Sequence, residues 1–118
     1  MRVLLVEDDT TTSKNIEMML TNAGMVLDTT DLGEDGLEIG QLYDYDIIIL
    51  DLMLPDMDGL GLCRQIKNHP ACKDVKVVFV SSKPYALDRK RAFDMGADGY
   101  IMRPLTPETF IGELKRAL

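Results

Sequence analysis

The sequence predicts an α/β protein, a doubly wound parallel sheet of five strands with five helices. Segments with strand pattern and segments with helix pattern alternate strictly along the chain, and two of the strand segments, DIIIL and VKVVFV, are almost continuously apolar. Strict alternation is typical of parallel strands joined by right-handed helical crossovers, and continuous apolar strands are typical of a sheet covered on both faces. The 118 residues are enough for one ordinary domain and too few for two.

Five runs of β-branched and apolar residues predict the strands. The first is the run RVLLV near the amino terminus. The second run is the least apolar, so we expect it near an edge of the sheet. The predicted strands are 2–6, 25–30, 46–51, 75–81 and 99–102.

Cap and breaker residues predict the helices between these strands. Apolar residues at three- and four-residue spacing follow Thr10, and Gly24 ends that helix. Gly36 and Gly40 weaken the second helix, because glycine has low helix propensity. Pro70 ends the third helix. The predicted helices are 10–23, 33–43, 59–69 and 85–95, with a last helix capped by Thr106.

Composition excludes several classes of function. The net charge of −7 argues against sequence-independent binding of nucleic acid by this domain. No apolar run approaches the roughly 18 residues of a membrane span, and acids follow the first apolar run directly, unlike a signal peptide. We therefore expect a cytoplasmic protein without membrane contact. Cys63 and Cys72 lack the spacing of a zinc site and are interpreted as small buried side chains.

Polar residues follow four of the five predicted strands. Because the carboxyl ends of parallel strands meet at one edge of the sheet, we expect these side chains to lie together there. The first strand is followed by three acids, the third by one acid, the fourth by a pair of serines and the fifth by an arginine. In chain order these residues are Glu7, Asp8, Asp9, Asp51, Ser81, Ser82 and Arg103.

This set of groups is typical of phosphoryl chemistry supported by a divalent cation. Crowded carboxylates raise one another's pKa unless a cation lies among them. Carboxylate, carbonyl and water oxygens suit Mg²⁺. A hydroxyl and a guanidinium nearby would bind phosphoryl oxygens, and one carboxylate would be free to act as a nucleophile and form an acyl phosphate.

Four motifs in this order resemble the receiver domain of a two-component response regulator: LLVEDD, IIILDLMLPDMDG, VVFVS and GADGYIMRPL. The resemblance covers essentially the whole chain, and the first half also resembles receivers of DNA-binding, cell-cycle-type regulators. It implies a flavodoxin-like receiver fold with strand order 2-1-3-4-5. It also implies one receiver domain over 1–118 with no effector domain, whether the chain is a stand-alone receiver or one excised from a longer regulator.

The resemblance implies that Asp51 is the phospho-acceptor. Glu7, Asp8 and Asp51, with the backbone carbonyl of Met53, then hold Mg²⁺, with Asp8 as a direct ligand and Glu7 acting mainly through water. Met53 and Lys83 match positions that influence the lifetime of the acyl phosphate.

The remaining motif positions match groups that respond to the phosphoryl group. Ser81 matches the hydroxyl that reorients towards it, and Ser82 presents a backbone N–H to it. Tyr100 matches the aromatic switch residue, and Pro104 matches a proline commonly preceded by a cis peptide bond. Arg103 departs from the family, which has a lysine at this position. Arginine keeps the charge and binds two oxygens with a planar fork, but it is bulkier.

The implied function is a phosphorylation-dependent signalling switch. Its donor is a histidine kinase or a histidine phosphotransfer protein, and its output is a downstream protein target or a phosphorylation-linked homodimer. Both use the surface of the fourth helix, fifth strand and fifth helix. The chain is not an enzyme beyond its autocatalysed phosphorylation and hydrolysis. The alternative is a degenerate receiver that docks without phosphorylation, because Arg103 replaces the lysine.

Two other classes fit the sequence poorly. A Mg²⁺-dependent phosphohydrolase that used Asp51 would need a second acid two residues later, where Met53 stands. A flavin carrier would need a phosphate-binding loop after the first strand, where EDDTTT places three acids. Asp56 and Asp58 are interpreted as turn residues rather than metal ligands.

Overall fold

The computed structural model describes residues 1–82 and 86–118. The strands are β1 (Arg2–Val6), β2 (Val26–Thr30), β3 (Ile47–Leu50), β4 (Lys76–Ser81) and β5 (Gly99–Met102). The helices are α1 (Thr10–Asn22), α2 (Gly33–Leu42), α3 (Gly59–Asn68), α4 (Ala86–Asp94) and α5 (Pro107–Ala117), with a short 3-10 turn at Pro70–Cys72. Tyr85, the predicted start of the fourth helix, and Lys83 lie outside the described residues.

The five strands form one parallel sheet in the order β2-β1-β3-β4-β5. This confirms the doubly wound fold, the strand order and the edge position of the second strand. In the register of the two central strands, Val6 lies opposite Leu50. The residues that follow β1 and β3 therefore leave the sheet side by side.

Alternate side chains of the strands enter two apolar layers, one on each face of the sheet. Val3 and Leu5 pack on the face covered by α1 and α5, whereas Leu4 and Val6 pack on the face covered by α2, α3 and α4. All four are almost completely buried. A sheet buried on both faces explains why its strands are apolar at successive positions.

The glycines that weakened the prediction of α2 allow it to lie close to the sheet. A Cβ atom at Gly36 would lie 2.7 Å from Cγ2 of Val6, and one at Gly40 would lie 3.2 Å from Cδ1 of Ile48. The helix therefore gives up some intrinsic propensity and gains close packing on β1 and β3.

Several element ends differ from the predictions by one residue. Asp46 precedes β3, and its carboxylate accepts a bond of 2.8 Å from the backbone N–H of Arg2. Thr106 holds the N-cap position of α5, but its hydroxyl bonds the hydroxyl of Thr109 rather than a backbone N–H. Among the described residues, no helix combines the length and the apolar composition that crossing a bilayer requires.

Candidate functional site

Three carboxylates converge where β1 and β3 end. Oxygen atoms of Glu7, Asp8 and Asp51 all lie within 4.8 Å of one another. The parallel register brings them together, since each acid follows the last residues of neighbouring strands. In residues 1–82 and 86–118 this is the one group of three or more such side chains with the spacing of a metal site. Its donors are hard carboxylate oxygens, which fit Mg²⁺.

Glu7 is the most buried member of this cluster, with an exposed fraction of 5%. Burial raises the pKa of its carboxyl to about 7, and the nearby charges of Asp51 and Asp8 act in the same direction. The N–H of Asp9, which donates to Oε1 at 3.1 Å, and the charge of Arg103 oppose this rise only in part. The site therefore keeps a carboxyl in surroundings that disfavour its charge.

Asp51 is half-buried beside Glu7. Burial raises the pKa of its carboxyl, whereas the charge of Arg103 and the backbone N–H groups of Met53 and Leu52 lower it. The apolar residues of β3 are completely buried and hold this carboxylate on a rigid element. A cation among the three acids would offset both the cost of burying charged carboxylates and their mutual repulsion.

Arg103 places its guanidinium against the acid cluster. Nη2 donates to Oε2 of Glu7 at 3.3 Å, and Nη1 donates to Oγ1 of Thr12 at 3.2 Å. The Nε–H is buried and has no acceptor among the described residues. The backbone N–H of Arg103 donates to the carbonyl of Ser81 at 2.9 Å, and the Arg103–Pro104 peptide is cis, as predicted.

Thr12 is a site residue that the sequence analysis missed. It lies in the first turn of α1, and both its backbone N–H and its hydroxyl donate to the carboxylate of Asp9. Asp9 is therefore the N-cap of α1 rather than a member of the carboxylate cluster. The threonine run after the acids predicts a helix start, and nothing in that pattern indicates contact with Arg103.

Ser81 and Tyr100 lie on β4 and β5 at the other side of the site, and Ser82 directly follows β4. Ser81 is buried at the end of β4, opposite Met102, whereas Ser82 is exposed. The ring of Tyr100 is buried against Phe79, with 6.4 Å between the ring centroids. Ser81 therefore lies on the same rim as Arg103, and Tyr100 lies beneath that rim. Lys83 lies outside the described residues.

The segment 51–59 after β3 folds back on itself. Met53 pairs with Asp58 in an isolated antiparallel bridge, and the side chain of Met53 is 66% exposed. Asp58 caps α3 through the N–H of Leu60, and Asp56 caps α2. Both acids accept bonds from backbone N–H groups and lie outside the carboxylate cluster.

Comparison with protein-family models matches residues 3–115 to the response regulator receiver domain. This chain belongs to that family. The receiver resembles the cell cycle transcriptional regulator CtrA of Caulobacter vibrioides, with 41% identity over 115 residues that cover 97% of this chain and 48% of that protein. It also resembles the cell cycle response regulator CtrA of Brucella ovis, with 40% identity over 97% of this chain and 48% of that protein. The chain spans about half the length of these curated relatives.

Solved structures with the same fold include other receivers. Chemotaxis protein CheY4 of Vibrio cholerae superposes with a TM-score of 0.93 at 25% identity, over 99% of this chain and 98% of that one. The receiver domain of a sensor histidine kinase from Pseudomonas aeruginosa PAO1 superposes with a TM-score of 0.89 at 25% identity, over 98% and 94%. That structure has a magnesium ion coordinated in its active-site cleft. The receiver family, the fold and the likeness to cell-cycle regulators, all predicted from the sequence, are confirmed.

Proposed function

We propose that this receiver domain is a phosphorylation-dependent switch that accepts a phosphoryl group on Asp51 with Mg²⁺. The observation that carries the proposal is the convergence of three carboxylate side chains within 4.8 Å, with the guanidinium of Arg103 against them. We further propose that residues 1–118 form a single receiver domain, and that it acts in the cytoplasm.

Glu7, Asp8, Asp51 and the backbone carbonyl of Met53 are the residues that would hold Mg²⁺. The raised pKa values of Glu7 and Asp51 support this assignment, since both carboxylates lie where an added positive charge lowers their free energy. When bound, the ion supplies positive charge that neutralises the oxygens of the transferred phosphoryl group.

Asp51 supplies the nucleophile. One oxygen of its carboxylate attacks the phosphorus of a phosphohistidine, the phosphorus–nitrogen bond breaks, and the imidazole leaves with that electron pair. The product is an acyl phosphate on Asp51, which water later hydrolyses. The chain transfers one phosphoryl group to itself, so it is a substrate and switch rather than an enzyme with turnover.

Hydrogen-bond donors on the rim would bind the phosphoryl oxygens. We assign this role to the hydroxyl of Ser81, the backbone N–H of Ser82 and the guanidinium of Arg103. The buried Nε–H of Arg103, which has no acceptor in the described part of the chain, supports the assignment because a buried donor is costly unless a ligand satisfies it.

The switch would pass from Ser81 to Tyr100. Ser81 lies opposite Met102, which is two residues after Tyr100 on β5, and Tyr100 packs on Phe79 of the neighbouring strand. A shift of Ser81 towards the phosphoryl group changes the space beside that ring and so biases the surface of α4, β5 and α5. That surface would meet a downstream target or a second copy of the chain.

The alternative is a degenerate receiver that docks on partners without phosphorylation. One observation favours it: Arg103 stands where the family has lysine, and both Glu7 and Thr12 accept bonds from its guanidinium. A phosphoryl group would have to compete with these acceptors.

The deciding experiment is the intact mass of the chain after incubation with Mg²⁺ and acetyl phosphate. We expect a gain of one phosphoryl group that is lost in Asp51→Asn and after chelation of Mg²⁺. Arg103→Lys run alongside should also be phosphorylated, and size exclusion should report whether either form dimerises. No gain in the wild type, together with a gain in Arg103→Lys, would overturn the switch and establish the degenerate receiver.

A further inference from the structure

The first turn of α2 is capped by a residue from a different part of the chain. Its own N-cap residue, Leu32, has no side-chain acceptor. The backbone N–H groups of Gly33 and Glu34 instead donate to the two carboxylate oxygens of Asp56, at 2.8 and 2.9 Å. These two bonds lower the pKa of the Asp56 carboxyl, so it is charged at neutral pH.

Asp56 lies at the tip of segment 51–59, which begins with Asp51, the proposed phospho-acceptor. At the base of this segment, the N–H of Gly59 donates to the carbonyl of Leu52 at 2.8 Å, and the N–H of Leu54 donates to the carbonyl of Met57 at 3.3 Å. These two bonds close the segment on itself. A force on its tip is therefore transmitted to its base, which begins at Asp51.

The first turn of α2 packs closely against this tip. A Cβ atom at Gly33 would lie 2.6 Å from both Cγ and Sδ of Met57. Further along α2, a Cβ atom at Gly36 would lie 2.7 Å from Val6, which immediately precedes Glu7. The helix thus packs against β1 at one point and against segment 51–59 at another.

We propose that Asp56 is a positioning residue for the carboxylate site. By binding the first turn of α2, it fixes segment 51–59, and with it Asp51 and the carbonyl of Met53, relative to Glu7 on β1. The tie joins segment 51–59 to β1 through α2, none of whose residues belongs to the carboxylate cluster. The consequence for Mg²⁺ and phosphorylation rests on the proposed function.

The plain alternative is that Asp56 only stabilises α2 as a helix cap. Two variants separate the explanations. Asp58→Ala removes the same charge from the same segment, but it removes the capping bond of α3 and leaves the bonds of Asp56 to α2 intact. It therefore controls for the loss of charge. Leu32→Ser in the Asp56→Ala background gives α2 a local cap without restoring the tie to the segment. Leu32 is 36% exposed, so the side chain can be replaced without opening the core.

The experiment measures three quantities in each variant. They are the dissociation constant for Mg²⁺ by calorimetry, the initial rate of phosphorylation by acetyl phosphate, and hydrogen exchange at the amides of Leu54 and Gly59. For Asp56→Ala we expect binding of Mg²⁺ weaker by about tenfold, as for other residues that orient a metal ligand. Exchange at both amides should be faster, and Leu32→Ser should not reverse either change. Asp56→Asn, which keeps one acceptor, should fall between wild type and alanine and serves if the alanine variant fails to fold.

Two results would overturn the inference. One is an Asp56→Ala variant that matches Asp58→Ala in Mg²⁺ binding and in exchange, and the other is full recovery on adding Leu32→Ser. Failure of the proposed function has a different signature, namely a wild-type chain that neither binds Mg²⁺ nor gains a phosphoryl group. In that case hydrogen exchange at the amides of Leu54 and Gly59 alone tests the inference. Faster exchange in Asp56→Ala would show that the bonds of Asp56 to α2 hold the segment, and unchanged exchange would show that they do not.

Discussion

Two clusters of charged residues lie at opposite ends of the sheet and use their charges in different ways. The amino-end cluster consists of Arg2, Asp28, Tyr43 and Tyr45. One oxygen of the Asp28 carboxylate, Oδ2, accepts bonds from Nε and Nη2 of Arg2, at 3.2 and 3.0 Å, and from the hydroxyl of Tyr45, at 2.5 Å. The Arg2 guanidinium lies 4.5 Å from the ring centroid of Tyr43. The pKa of Asp28 is lowered, chiefly by the Tyr45 hydroxyl.

The carboxyl-edge cluster consists of Glu7, Asp8, Asp51 and Arg103, and its charges are not balanced. Among the described residues it has three carboxylates and one guanidinium, which contacts Glu7, and the pKa values of Glu7 and Asp51 are raised rather than lowered. At the amino end one carboxylate is paired with one guanidinium, whereas the carboxylates at the carboxyl edge repel one another until a cation, the Mg²⁺ proposed above, offsets their charge.

The largest effect at the carboxyl edge is expected from Gly59→Ala. A Cβ atom there would lie 2.0 Å from the backbone carbonyl oxygen of Asp51 and 2.9 Å from that of Leu52. Relief of this contact must move the acceptor segment, so we expect loss of more than about 3 kcal/mol in the free energy of unfolding, together with loss of phosphorylation. Urea unfolding and intact mass are the measurements.

Gly61→Ala is the matched control for that change. Nothing lies within 4 Å of a Cβ atom at Gly61, which is inside α3. Alanine there should raise the free energy of unfolding by about 1 kcal/mol, because glycine is a poor helix former. Equal effects of the two substitutions would contradict the geometry given for Gly59.

The next effect is a dependence of stability on pH that comes from the carboxyl edge. Glu7 has a pKa of about 7 in the folded chain, against 4.5 for an ordinary glutamate. Between these values the folded state binds more protons than the unfolded state, so the stabilisation is present below the lower value and is lost as pH rises through the upper one. Its size is on the order of 3 kcal/mol.

Urea unfolding without Mg²⁺ at about pH 5 and about pH 8 measures this loss. Glu7→Gln should flatten the decline, and Mg²⁺ added to the wild type should flatten it as well, because either removes the penalty for the charged carboxylate. A wild type whose stability relative to Glu7→Gln is the same at both pH values would show that Glu7 is not the cause.

The smallest effect is expected at the amino end. Tyr45→Phe removes one bond to Asp28 from a side chain that is 7% exposed, so we expect loss of about 1 kcal/mol in the free energy of unfolding. Mg²⁺ binding and phosphorylation should be unchanged, since the two clusters share no residue. Tyr43→Phe keeps the ring beside Arg2 and should change stability by less than about 0.5 kcal/mol. An effect of Tyr45→Phe on phosphorylation would break the contrast between the two ends.

Much of the fold and most of the acid site could be read from the sequence, because both depend on local patterns. Apolar runs and cap residues predicted the order of the elements, and the end of each strand was enough to place Glu7, Asp51, Ser81 and Arg103 on one rim. Thr106 is the N-cap residue of α5 as predicted, but its hydroxyl makes no capping bond because it bonds the hydroxyl of Thr109, one helical turn away.

What the sequence by itself determined is therefore the alternation of strands and helices, and hence the edge of the sheet at which the polar residues meet. The tertiary structure alone decided the pairings between distant segments: Asp56 with the first turn of α2, Arg103 with Thr12, and Asp28 with Tyr45. Each joins residues on different elements. Their proximity depends on how closely those elements pack, and hydrophobic periodicity records which face of an element is buried but not which side chains then meet across it.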